Sequence, residues 1–183
     1  EEKNKLTALV LSKGSHSQDI SLTKAETKQL LESCNEAYHT EVNDILLTAL
    51  GYALHKLDES FVHHIILEGH GREEIDTSID VAETLGWFTT MYPVRLEIQG
   101  ELGESIKHVK ETLRQIPNKG IGYGVLIGYQ EGLPRISFNY LGRFDGEGSE
   151  QSKARWKIVG EDSGLSMHAA NHDHHMINMN GLV

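Results

Sequence analysis

The residues best suited to chemistry lie in one run, His63-His64-Ile65-Ile66-Leu67-Glu68-Gly69-His70-Gly71-Arg72-Glu73. Imidazoles titrate near neutrality and carboxylates accept protons, so histidine and glutamate together suit general acid–base work. Spacing decides whether they can cooperate. Phe61 to Leu67 is rich in β-branched and apolar residues and ends at Gly69, which predicts a strand. On a strand His64 and Glu68 share a face but stand about 13 Å apart. They are not a contacting pair, and His63 and His64 read as ordinary strand residues. Glu68 is left where the strand meets a glycine-flanked turn, and on spacing alone its plainer reading is a solvated strand-end carboxylate.

Other polar groups earn a similar weighing. His70 reads as a turn-stabilising residue. Arg72 is expected to pair with Glu68 or a nearby carboxylate, as a structural ion pair. Gly69 and Gly71 suit tight backbone geometry. Gly120, Gly122 and Gly124 look like a phosphate loop, but no Lys-Ser/Thr pair or helix signature follows, so that loop reads as structural. The tail "HAANHDHHM" carries His168, His172, His174 and His175. His172 and His174 would share a strand face, but with no cysteine nearby the cluster suits adventitious metal capture better than a resident metal site. No metal is assigned.

Positioning these groups takes an alternation of helices and strands. Thr23-Lys24-Ala25-Glu26 is a capping box that predicts a helix over Lys24 to Ala37. From Glu41 to Leu57 apolar residues recur at intervals of three and four, which predicts an amphipathic helix packed on a sheet. Leu102 to Arg114 repeats that spacing through Ile106, Val109 and Leu113. Strands are expected around Val94 to Ile98, Arg135 to Leu141, Trp156 to Val159 and Met176 to Val183. Asn118 to Gly124 reads as a loop, and Gly142 to Lys153 as an exposed one. Trp87, Phe88 and Tyr92 read as core and interface residues. The fold class is α/β, a mixed open sheet with helices packed on one face.

Composition narrows the setting. The chain has 183 residues, enough for one domain with a real core. Its formal charge is −10, which argues against a nucleic-acid partner, because phosphate-backbone binding draws on clustered cations. No apolar run is long enough to span a bilayer, so no membrane partner is expected. The single cysteine, Cys34, excludes an internal disulfide and a cysteine-based zinc site. No signal-peptide pattern opens the sequence. A cytoplasmic location is the expectation.

Five motifs stand in one order: "DILLTALG" from Asp44, "EGHGRE" from Glu68, "TLGWFTTMYPVRL" from Thr84, "PNKGIGYG" from Pro117 and "FNYLGR" from Phe138. The series resembles the later motifs of epimerisation domains in nonribosomal peptide synthetases of the tyrocidine and gramicidin type, within the condensation-domain superfamily. Relatives commonly carry a serine–arginine pair where this chain has Ala82-Glu83. The resemblance implies one lobe of a two-lobed, chloramphenicol-acetyltransferase-like fold. Residues 1–183 would be its C-terminal lobe, and the true HHxxxDG would belong to an N-terminal lobe outside this chain. The expected reaction, part of antibiotic biosynthesis, inverts the α-carbon of an aminoacyl or peptidyl thioester. The substrate would hang on the phosphopantetheine arm of a partner carrier domain, with no cofactor bound directly by this chain.

Such a reaction removes a proton beside a thioester carbonyl and returns one on the opposite face. With the resemblance added, Glu68 is the leading acid–base candidate, opposed by a histidine of the other lobe. Tyr140 could donate a hydrogen bond or proton, and Asn139 could orient the enolate or thioester. The two alternate on a strand, so only one is expected to reach the reaction centre directly. His70 and Arg72 would support. Alone, the lobe is expected to be inactive. The alternatives are a condensation lobe that serves amide-bond formation and a non-catalytic lobe that only binds carrier protein.

Overall fold

The computed structural model describes residues 16–128, 132–142, 164 and 174–183. Among them four strands form one sheet: β1 (Val62–Gly69), β2 (Thr90–Glu97), β3 (Ile136–Tyr140) and β4 (Ile177–Gly181). Their order is β2-β1-β3-β4. β2 runs antiparallel to β1, whereas β3 and β4 add in parallel, so the sheet is mixed and open, as expected.

Local chemistry sets the helices. Helix α1 (Lys24–Lys28) starts on the expected capping box, with the Thr23 hydroxyl accepting from the Glu26 N–H and Glu26 accepting from the Thr23 N–H. The expected single helix to Ala37 does not form. A π-helical turn follows over Gln29–Ser33, and irregular turns lead to His39, which has φ 50°. Helix α2 (Val42–Asp58) opens on a second capping box, in which the Glu41 N–H donates to Asp44 at 2.8 Å. It stops at Glu59 in the left-handed conformation, φ 63°. Helix α3 (Leu102–Arg114) matches the bounds that its apolar spacing predicts.

Helices α2 and α3 cover one face of the sheet. Leu47, Leu50 and Leu54 of α2 and Val109 of α3 pack on Ile65, Leu67, Val94, Leu96, Ile136 and Phe138 in one buried core. Strand alternation then points His64, Ile66 and Glu68 to the other face, with Arg95, Ser137, Asn139, Asn178 and Asn180. That face carries no helix among the described residues.

Residues expected to form a loop after Asn118 are partly helical: a 3₁₀ turn at Pro117–Gly120 and a short helix α4 (Tyr123–Leu126). The strand expected at Trp156 to Val159, the loop from Arg143 to Lys153, and His168 and His172 lie outside the described residues. No described helix is long and apolar enough to cross a membrane.

Candidate active site

Glu68 is the last residue but one of β1, opposite Met91 on β2. Parallel pairing of Leu67 with Phe138 places the following residues, Glu68 and Asn139, side by side. The Asn139 amide donates to the Glu68 carboxylate at 2.9 Å. The pairing continues to Asn180, the register partner of Asn139 on β4. Met91, Glu68, Asn139 and Asn180 thus form a row across the sheet on the face away from the helices. Tyr140, one residue on, faces the opposite way and packs against the helix-side core. Of the two candidates in "FNYLGR", the strand brings Asn139 to Glu68 and turns Tyr140 away.

The "EGHGRE" turn is held by its own side chains. His70 Nδ1 accepts the Arg72 N–H at 3.0 Å, and its Nε2 lies 2.9 Å from a Glu73 carboxylate oxygen. His70 therefore stabilises the turn, as its position predicts. Arg72 differs from expectation: its guanidinium forms no ion pair with Glu68. It donates to the carbonyls of Val81, Thr84 (2.8 Å) and Gly86 (3.4 Å), and its carbon lies 4.2 Å from the centre of the Phe88 ring. Main-chain carbonyls compete here because the segment after the turn folds back within reach of the side chain.

Gly71 makes that return possible. It has φ 67°, and a Cβ there would fall 1.6 Å from the Phe88 carbonyl oxygen. Phe88 is accordingly the lid on Arg72, and Tyr92 packs on the core, while Trp87 is 91% exposed and has no core role among the described residues.

Residues not singled out from sequence join this end of the sheet. Glu73 is largely buried and lies between His70 and Lys119, whose Nζ is 3.7 Å away. Burial, and then the nearby Glu73 charge, push the Tyr92 phenol above its ordinary range, so it stays neutral. Lys119 belongs to a left-handed run, Asn118 (φ 45°), Lys119 (φ 47°) and Gly120 (φ 77°), which tucks against the Tyr92 ring. The available signal was the alternation in "INMNG", which sets Asn178 and Asn180 on one face; for Glu73 and Lys119 sequence offered none, since their meeting depends on tertiary packing.

The adjacent histidines have unlike surroundings. His63 is buried, its Nε2 3.0 and 3.2 Å from the two Asp58 carboxylate oxygens, whereas His64 is exposed on the other face. Neither touches Glu68, in keeping with strand spacing. A cavity of about 290 Å³ opens on the helix side, lined by Asp44, Leu67, Tyr92 and Arg114 among others. It lies across the sheet from the Glu68 carboxylate. No group of histidine, cysteine and carboxylate side chains among the described residues could hold a metal ion.

Residues 7–176 match the condensation domain, and the chain belongs to that family. It is 41% identical over 181 residues to gramicidin S synthase 1 of Brevibacillus brevis, covering 90% of this chain and 16% of that protein. It is 50% identical over 135 residues to bacitracin synthase 2 of Bacillus licheniformis (69% and 5% covered). It is 45% identical over 142 residues to N-(5-amino-5-carboxypentanoyl)-L-cysteinyl-D-valine synthase of Amycolatopsis lactamdurans (77% and 4%). Among solved structures, the epimerization domain from the third module of tyrocidine synthetase B superposes with TM-score 0.61 at 45% identity, covering 68% of this chain and 30% of that one. The first condensation domain of the CDA synthetase shares the fold alone, with TM-score 0.54 at 15% identity over 73% of this chain and 31% of that one. The chain thus spans a small part of the curated relatives it matches.

Proposed function

We propose that this chain is the C-terminal lobe of an epimerisation domain of a nonribosomal peptide synthetase. Its task is interconversion of L- and D-aminoacyl or peptidyl thioesters carried on the phosphopantetheine arm of a carrier domain. The Glu68–Asn139 pair carries the reading: a carboxylate at a strand end, on the sheet face that bears no helix among the described residues, oriented by a neighbouring amide. Similarity to an epimerization domain at 45% identity, against 15% for a condensation domain of like fold, favours epimerisation over amide-bond formation.

In this proposal Glu68 exchanges a proton with the substrate α-carbon, and Asn139 fixes the carboxylate's orientation. A histidine from the remainder of the domain serves the opposite face of the α-carbon. The thioester carbonyl becomes an enolate as the α C–H bond breaks, and re-protonation on the other face inverts the centre. Tyr140 supports the strand from the core side, and His70 fixes the turn that follows Glu68.

The test uses the complete domain and an aminoacyl-loaded carrier in deuterated water. Deuterium at the α-carbon together with the D-epimer is the expected outcome, and Glu68→Gln abolishes both. Retained exchange in Glu68→Gln would remove Glu68 from the chemistry. Amide formation with a second loaded carrier would identify a condensation domain instead, and carrier binding without either reaction would identify a docking lobe.

A further inference from the structure

Arg72 lies four residues beyond Glu68, yet its guanidinium turns from the carboxylate to read main chain. Nη1 donates to the Val81 carbonyl, and Nη2 to those of Thr84 at 2.8 Å and Gly86 at 3.4 Å. Its plane lies over the Phe88 ring at 4.2 Å. A guanidinium can use edge and face together because it is a planar fork of five donors; an ammonium cannot. The carbonyls of Val81, Thr84 and Gly86 are therefore drawn inward. Leu85 and Trp87 point out, 101% and 91% exposed.

Apart from the Glu73–Lys119 contact, the rest of the segment is held among the described residues by short-range bonds. Asp76 accepts from the Ser78 N–H at 2.8 Å and Asp80 from the Ala82 N–H at 2.9 Å, bonds that shape each turn without fixing it to the sheet. The close approach of Gly71 to Phe88 marks the same seam as the guanidinium. Both ends of the segment spring from Gly69 and Thr90, register partners next to Glu68 and Met91.

We propose that Arg72 is a positioning residue that clamps residues 81–88 beside Glu68, so that this segment forms a fixed wall for the carrier-borne acyl chain. Asn139 orients the carboxylate; Arg72 shapes the approach to it. The kinetic part rests on the epimerisation reading, while the clamp itself does not.

Arg72→Gln and Arg72→Lys test it in two settings. In the full chain, with Trp156→Phe leaving Trp87 the sole tryptophan, Arg72→Gln lowers Trp87 fluorescence anisotropy and speeds proteolysis between residues 73 and 88 about tenfold. Arg72→Lys does not rescue. In the complete domain, the same variants raise KM for the loaded carrier about tenfold and change kcat less than about threefold. Unchanged anisotropy and proteolysis would overturn the clamp, and a fall in kcat at constant KM would overturn its assigned role. If Arg72→Gln does not fold, Phe88→Leu removes the ring beneath the guanidinium and must release the segment in the same assays. A freed segment in a domain that exchanges no α-proton even when unsubstituted would leave the clamp standing and remove the epimerisation reading.

Discussion

The amide of Asn139 meets the carboxylate of Glu68 at 2.9 Å across two parallel strands, joining "FNYLGR" to "EGHGRE". A hydrogen bond to a charged group contributes about 1.5–3 kcal/mol, roughly ten- to a hundredfold in a rate that depends on it. Asn139→Ala in the complete domain should lower kcat for α-proton exchange by that factor and leave KM nearly unchanged. Tyr140→Phe should cost less than about threefold, because its ring faces the core. Equal losses in the two variants would show that the strand's faces do not divide their roles.

Gly71 and Gly120 are positions where a methyl group meets structure at positive φ. At Gly71 it meets the Phe88 carbonyl at 1.6 Å, and at Gly120 the Tyr92 ring at 2.3 Å. Gly71→Ala and Gly120→Ala should each destabilise the chain by about 2–4 kcal/mol in urea denaturation. Gly100→Ala, with nothing within 4 Å of its Cβ, should stay within about 0.5 kcal/mol.

The two histidines of "HHIILEG" should part under substitution. His63→Leu strips the buried Asp58 carboxylate of its imidazole and should cost about 2–4 kcal/mol. His64→Leu, on an exposed site, should change stability by less than about 0.5 kcal/mol. Comparable losses would mean that the Asp58–His63 contact contributes nothing specific.

Asp44 gives a pH signature. Burial raises its carboxyl above the ordinary aspartate value, outweighing its hydrogen bond from Glu41 and the Arg114 charge. The folded chain then binds that proton more tightly than the unfolded one. Asp44's contribution to stability therefore falls as pH rises from the ordinary value through the raised one, and stays low above it. Asp44→Asn, whose amide oxygen can still accept the Glu41 N–H, should flatten that part of the stability–pH curve. An unaltered slope would assign it to another group.

Sequence carried much of this architecture because local rules govern it. The apolar spacing of Leu102–Arg114 sets the helix bounds, and strand alternation separates Asn139 from Tyr140. The break after Lys28 was not legible, since a π-turn uses the same residue types as the helix it interrupts. The contacts of Arg72 are not legible for a different reason. A guanidinium near a carboxylate suggests an ion pair, but a folded-back segment offers three carbonyls, and nothing in the residue order shows that return. Trp87 is exposed here, so the core half of its expected role does not hold: hydrophobicity says what a side chain prefers, not what covers it.

The parallel seam between β1 and β3 also bears on how the chain reaches its native state. Glu68 and Asn139 are separated by 71 residues, and their strands can pair only after the intervening strand, helices and loops have been brought across. Contacts of such long range form late and slowly, because loop closure costs entropy before pairing rewards it. A nascent or refolding chain would acquire its α2–β1–β2 packing early, while the carboxylate waits for its amide. In the refolding complete domain, recovery of exchange activity should then lag recovery of helical circular dichroism.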